Sequence, residues 1–327
     1  MSYQGRLHQL LNYIDSHLDE ELTVDNLSSI ACLSKYHFHR QFSSLFGITA
    51  FAYIRQARMK RASYQLAFKK DMRIIDIAVA CSYESSEAFS RAFSQSIGQS
   101  PSQFRAQPEW TLWYQKYEKF KTLRIQRMKS DEYSFLVEIV DFSEIKVAVL
   151  EHLGSLELLG NTINLFIDWR RKNNLSPKES RIFNIVYDDL AVTDPDKYRC
   201  DICASVKYDV KQNDHGVITK TIPAGRCAVI RHVGSYDTIC ETIAYLYLEW
   251  LSQSEEELRD SPVFLEKVSF FPDVPETEVI TDIYLPLKSR YVGLLQSETN
   301  SSSDNDVRLF SGHYSGVFSV NHTSTSE

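Results

Sequence analysis

The sequence predicts two domains: an all-α domain with two helix-turn-helix motifs, then an α+β domain of two β-α-β-β repeats. Two internal repeats and a split in charge predict this. Ser34-Lys-Tyr-His-Phe38-His-Arg40-Gln-Phe42 returns as Ser85-Ser-Glu-Ala-Phe89-Ser-Arg91-Ala-Phe93, and Gly47 and Gly98 follow, all at an offset of 51 residues. Ala148-Val-Leu-Glu-His152-Leu-Gly154-Ser155 returns as Ala228-Val-Ile-Arg-His232-Val-Gly234-Ser235 at an offset of 80. Matching flanks make each a duplicated unit. Residues 1–129 hold 18 Lys and Arg against 11 Asp and Glu, whereas the remainder holds 18 against 32. The net charge of −7 therefore hides a basic first part and an acidic second part, as in a nucleic-acid-binding domain joined to an acidic partner.

In the first domain, Arg6 to Leu18 carries an amphipathic pattern through Leu7, Leu10, Leu11, Ile14 and Leu18. Thr23 suits the cap of a short apolar helix, Val24 to Ala31, and Ile74 to Ala80 is its counterpart. Each leads within a few residues to a serine, Ser34 or Ser85, whose hydroxyl suits the N-cap of the next helix. Phe38 and Phe42, like Phe89 and Phe93, are four apart and share an inner face. Gly47 and Gly98 suit the left-handed position after a helix end. This is helix-turn-helix spacing, and its plain alternative is a pair of ordinary helical hairpins. The outer face of the first copy bears Lys35, Tyr36, His37, His39 and Arg40; that of the second bears Ser86, Glu87, Ser90 and Arg91. These nine are the candidate DNA-contacting residues, with an arginine at the same place in both copies.

A longer helix, from about Ala50 to Phe68, joins the copies and bears Arg55, Arg58, Lys60 and Arg61. At 1.5 Å per residue it spans about 28 Å. Adjacent major grooves on one DNA face lie about 34 Å apart, so one chain can place two helices in successive grooves without dimerising. The connector's basic residues either touch phosphate or form a solvated face. Residues 110–129 interleave Trp110, Trp113, Tyr114 and Tyr117 with lysines and arginines, which reads as a helical linker packing its aromatics between domains, with nucleic-acid contact as the alternative.

These residues carry a resemblance. Residues 7–105 resemble the DNA-binding domain of the AraC/XylS family of bacterial transcription regulators. The carrying pieces are the first copy with Gly47, Ile74-Ile-Asp-Ile77-Ala78, the second copy, and Gly98-Gln-Ser-Pro101-Ser-Gln-Phe104-Arg105. The family usually has glycine in each helix-turn-helix turn, where this chain has Cys32 and Ser82. A positive φ there would carry modest strain.

Beyond Tyr133 the composition turns to alternating β-branched and aromatic residues. Strands are expected at 147–150, 181–187, 201–206, 226–231, 264–268 and 282–285, with helices at about 156–172 and 237–250. Trp169 matches Trp250, Phe183 matches Phe264, and Asp201 matches Asp282, now at an offset of 81, so one extra residue falls within or beside the second helix. The domains expected are 1–107, a helical linker at 108–132, an α+β domain at 133–289, and a flexible polar tail at 290–327.

A doubled unit makes a cleft along its pseudo-axis, a common place for a pocket. Glu266 stands where the first repeat has the apolar Ile185, on the strand face of Phe264 and Val268. A carboxylate among aromatics attracts a flat cation; an internal partner such as Arg or Lys, or a solvated face, is the plain alternative. Residues 137–288 resemble the GyrI-like effector-binding domain through Arg231-His232-x-Gly234-Ser235-Tyr236, Leu265-Glu266 and Thr281-Asp282-Ile-Tyr284-Leu-Pro286-Leu. The resemblance implies an aromatic pocket for lipophilic cations with Glu266 as its acid, although Val268 replaces the usual tyrosine. Trp169, Tyr187, Tyr236, Trp250 and Tyr284 are the other candidate ligand-binding residues.

The six cysteines form no zinc framework, His152 and His232 read as structural, and no catalytic residue, cofactor or metal is expected. The absence of a signal peptide or long apolar run makes a cytoplasmic, nucleoid-associated protein the natural expectation. Together the two resemblances imply a ligand-responsive regulator, an activator by first expectation, that binds duplex DNA as a monomer, takes a small effector, has RNA polymerase as a candidate partner, and does not act on a membrane. Two rivals stand beside it: an acidic domain that docks polymerase or gyrase, and a small-molecule hydrolase using Glu266 as general base.

Overall fold

The residues read as punctuation set the helix ends. In the computed structural model, which describes residues 3–128, 135–176, 178–190 and 192–289, Ser34 Oγ accepts from His37 N at 3.4 Å and Ser85 Oγ from Ala88 N at 3.1 Å. Gly47 and Gly98 close the same helices with φ of 66° and 96°. The helices are α1 (Tyr3–Ser16), α2 (Val24–Ile30), α3 (Lys35–Phe46), α4 (Ala50–Phe68), α5 (Ile74–Ala80), α6 (Ser86–Ile97), α7 (Pro101–Ala106) and α8 (Trp110–Met128). Cys32 and Ser82 adopt φ of 54° and 59°, so the α2–α3 and α5–α6 turns keep the left-handed geometry without glycine.

Both helix-turn-helix units share one core. Phe38, Phe42, Phe89, Phe93 and Phe104 are fully buried around Tyr53, Ala57, Ala62 and Leu66 of α4. Removing such a ring from water contributes about 1.5–3 kcal/mol each. The basic residues of α4 correct the expectation of either phosphate contact or a solvated face. Arg55 alone is exposed. Arg58 donates to the carbonyls of Leu18 and Glu20 at 2.8 and 2.7 Å, and Arg61 faces Asp19 at 3.7 Å. Lys60 is buried. In α8, Trp110, Trp113, Tyr117 and Phe120 are buried in the same core.

The second domain is one antiparallel sheet: β1 (Val137–Phe142), β2 (Ile145–Leu153), β3 (Ile182–Val186), β4 (Arg199–Ser205), β5 (Ile218–Ile222), β6 (Gly225–Val233), β7 (Val263–Lys267) and β8 (Ile280–Pro286). Its order is β1-β6-β8-β7-β3-β4-β2-β5, symmetric about the β7–β3 pair. Each β-α-β-β repeat is preceded by a further strand outside those expected from the sequence, and these two are exchanged: β1 pairs with β6 and β5 with β2. Both are edge strands with largely exposed, partly polar side chains, which weakens the alternation signal.

Helices α9 (Leu159–Lys172) and α10 (Ile239–Tyr245) cover one sheet face. A π-helical turn, Leu246–Trp250, continues α10. It absorbs the one residue by which the second repeat exceeds the first. The opposite face gathers Phe142, Val147, Val149, Phe183, Ile185, Cys203, Phe264 and Tyr284 into a cluster without a helical member. The expected tail at 290–327 lies outside the described residues. No helix among the described residues is long and apolar enough to cross a membrane.

Candidate functional site

The inner face of α3 is spent on phenylalanines, so its polar residues point outward. Lys35, Tyr36, His37, His39 and Arg40 are all exposed, Tyr36 to 90%. Lys35 forms an ion pair with Asp25 of α2, whereas Arg40 makes no ion pair among the described residues. On α6, Glu87 and Arg91 are exposed and Ser86 and Ser90 half-buried. Hydrogen bonds from its own backbone N–H and from Ser86 and Ser85 hold the Glu87 carboxyl below its usual range, so α6 opens with a fixed negative charge. The two outer faces thus differ chemically: α3 offers cations and donors, α6 a mixture.

On the sheet face away from the helices, strand alternation places Asp201, Glu266 and Asp282 on one surface. Each meets a cation. Lys220 Nζ donates to Asp201 at 2.7 Å, Arg231 binds Asp282 through two bonds of 2.7 and 2.8 Å, and Arg181 binds Glu266 through two of 2.6 Å. Tyr284 Oη donates to Glu266 Oε2 at 3.1 Å, and its ring stacks on Phe264 at 4.8 Å. Burial, with the nearby Glu266 charge, pushes the Tyr284 phenol up, keeping it a donor. Phe142 packs edge-on against Phe264 and Tyr284 at 4.9 and 5.3 Å. Tyr187 Oη donates to Asp201 at 2.7 Å; burial and that bond push it up to about 12. The site is therefore a carboxylate walled by aromatics.

Comparison with known proteins now bears on this geometry. Residues 27–107 match the helix-turn-helix domain model, and residues 136–288 match the GyrI-like small molecule binding domain. The chain is 40% identical over 152 residues to the probable transcriptional regulator YgiV of Escherichia coli K12, which spans 46% of this chain and 95% of that protein. It belongs to the AraC-type transcriptional regulators that carry a GyrI-like domain. The chain is also 34% identical over 111 residues to the right origin-binding protein of E. coli K12, covering 34% of this chain and 38% of that one. Among solved structures, the EcmrR C-terminal domain overlays 48% of this chain and 99% of its own, with a TM-score of 0.40 at 16% identity, too loosely to place residues. The regulator is thus a DNA-binding transcriptional regulator with a small-molecule binding domain.

Of the ligand residues expected from sequence, the regulator brings Glu266 and Tyr284 together and sets Tyr187 beside Asp201 on the same face. Trp169, Trp250 and Tyr236 lie elsewhere. Trp169 stacks on Phe166 under α9 at 5.7 Å, and Trp250 packs into the cluster under α10. Tyr236 sits before α10 with Lys267 Nζ 3.8 Å above its ring. All three line the helix side of the sheet, the side away from Glu266. Arg181, Phe142 and Phe183 were not foreseen. Arg181 was findable, since it stands two residues before Phe183 and thus on its face.

His152 and His232 have matching structural roles. Each Nδ1 meets a threonine hydroxyl at 2.8 Å, Thr162 or Thr242, and each Nε2 faces carbonyls of its own loop. Cys200 and Cys203, three apart on β4, point to opposite sheet faces and cannot chelate one ion. No cluster of three metal-ligating side chains occurs among the described residues.

A buried polar joint connects the regulator's domains. Lys60 Nζ donates to Tyr117 Oη at 2.5 Å, Asp237 at 3.0 Å and Glu276 at 2.5 Å. Arg124 of α8 binds both oxygens of Asp15 at 3.0 and 2.7 Å, donates to Tyr53 Oη, and lies 3.3 Å from Glu276. Ser235 also donates to Glu276. Gly160 of α9 packs so closely on Trp110 that no Cβ fits there.

Proposed function

We propose that the regulator binds an asymmetric duplex site as a monomer, reads bases chiefly through α3, and activates transcription in response to a small effector at Glu266. Lys35, Tyr36, His37, His39 and Arg40 supply the principal reading surface, with Arg40's fork suited to a guanine edge. Ser86, Glu87, Ser90 and Arg91 make a weaker second reader, because the fixed charge of Glu87 repels phosphate. Contact with RNA polymerase is the route by which activation would follow.

The effector is a lipophilic aromatic cation. The observation that carries this reading is a carboxylate, 15% exposed, held among Phe142, Phe183, Phe264 and Tyr284. A cation removed from water finds compensation there in one charge and several ring faces.

The test is a thermal-shift screen of the full chain against aromatic cations, beside its Glu266→Gln variant. A compound that raises Tm in the parent and not in the variant supports the reading, since ligand bound to the native state stabilises it by mass action. No shift with any compound favours a protein-docking role for the second domain. Turnover of a compound, lost in Glu266→Gln, would revive the hydrolase reading.

A further inference from the structure

The regulator already carries a flat cation at Glu266. Arg181 lies diagonal to Glu266 across the β3–β7 pair, where Phe183 is the direct partner of Glu266. Its Nε and Nη2 meet Oε1 and Oε2 in two parallel bonds of 2.6 Å. The guanidinium carbon stands 5.0 Å from the Phe183 ring centre and 5.5 Å from that of Phe142. An acid, a two-donor fork and two ring faces are the contacts that a flat cationic ligand would use. This ion pair joins a guanidinium fork to two rings. Yet the arginine side chain is 45% exposed, three times its partner's 15%, so its stem can carry the fork into solvent without opening the sheet.

We propose that Arg181 is a built-in competitor for the effector site, and that the effector is an aromatic amidinium or guanidinium that takes its place. The inference rests on the effector reading above and narrows it. Glu266 accepts through both oxygens, so a replacing cation must offer two coplanar N–H donors. A quaternary ammonium of equal size offers none and leaves Oε1 unpaired and Oε2 with the Tyr284 hydroxyl alone. A tethered competitor also acts at a high effective concentration, on the order of millimolar, which weakens every cation the site takes.

The experiment is calorimetric titration of the full chain with benzamidine and with trimethylphenylammonium. Wild type should bind benzamidine in preference to the quaternary ion. Arg181→Ala and Arg181→Gln should each bind benzamidine about 5- to 30-fold more tightly, the range for losing a half-exposed ion pair with ring contacts. Glu266→Gln should abolish binding in every background. Equal or weaker binding by both Arg181 variants, with Glu266 still required, overturns the competitor role and leaves the effector reading intact. Binding by none of the proteins overturns both. If neither Arg181 variant folds, Arg181 is a brace of the sheet and the proposal fails.

Discussion

Lys60, midway along the helix joining the two helix-turn-helix units, donates to Glu276, 216 residues further along the chain, at 2.5 Å. The contact spans both domains, and both side chains are nearly inaccessible to water. An ammonium buried with two carboxylates is stable only as a complete set. Its partners on the second domain, Asp237 and Glu276, lie in the turns that lead into α10 and β8.

Lys60→Met should therefore destabilise the protein strongly. It removes one charge and leaves Asp237 without its nearest cation, a situation that costs about 3–5 kcal/mol. The check is urea denaturation of the variant beside wild type.

Asp237 gives the joint a pH dependence. Burial alone would raise its pKa from 3.8, but Lys60, with hydrogen bonds from Lys60 and Tyr117, brings it down to about 2. A folded-state pKa below the unfolded value means stability present in full above about pH 4 and lost as pH falls toward 2. Asp237→Asn should melt below wild type at pH 6, and the gap should close between pH 4 and 2. A gap independent of pH would mean that the asparagine acts through geometry alone.

Gly160→Ala tests the close approach of α9 to α8. The added methyl meets the Trp110 indole, so the helix or the ring must shift, costing about 1–3 kcal/mol. Thermal denaturation should show the loss, and Trp110 fluorescence should change with it. Unchanged stability would mean that the indole has room to turn.

Cys32→Gly and Ser82→Gly should act in the opposite sense. Both residues hold a positive φ that a side chain disfavours by about 1 kcal/mol, partly offset by the greater freedom of glycine in the unfolded chain. A gain of about 0.5 kcal/mol each is expected in chemical denaturation. A loss would show that the side chain contributes contacts exceeding the strain.

Arg40→Ala should weaken binding to the regulator's specific site by about 1–3 kcal/mol while leaving nonspecific binding nearly unchanged. Measured against salt, equal loss in both would assign Arg40 to phosphate rather than to a base edge.

Much of this protein is local and was legible as such. Serine caps, glycine stops and four-residue phenylalanine spacing act within one or two helical turns, and they placed α3 and α6 without any tertiary knowledge. Period-two alternation likewise put Glu266 on the face of Phe264. The 51- and 80-residue repeats announced both duplications. Even the π-helical turn was foreshadowed by the step from 80 to 81.

Tertiary structure decided what local rules do not reach. The side of the sheet taken by Trp169 and Trp250 depended on where α9 and α10 docked, since a large aromatic satisfies a core as well as a pocket. The exchange of edge strands was hidden because β1 and β5 are half polar. Above all, the pairing of charges was fixed only by folding. Lys60 reads as one more basic residue on a helix, and Arg181 as the polar start of a strand. Which acid each meets depends on contacts 85 to 216 residues apart, and at such distances register and domain docking, not periodicity, choose the partner.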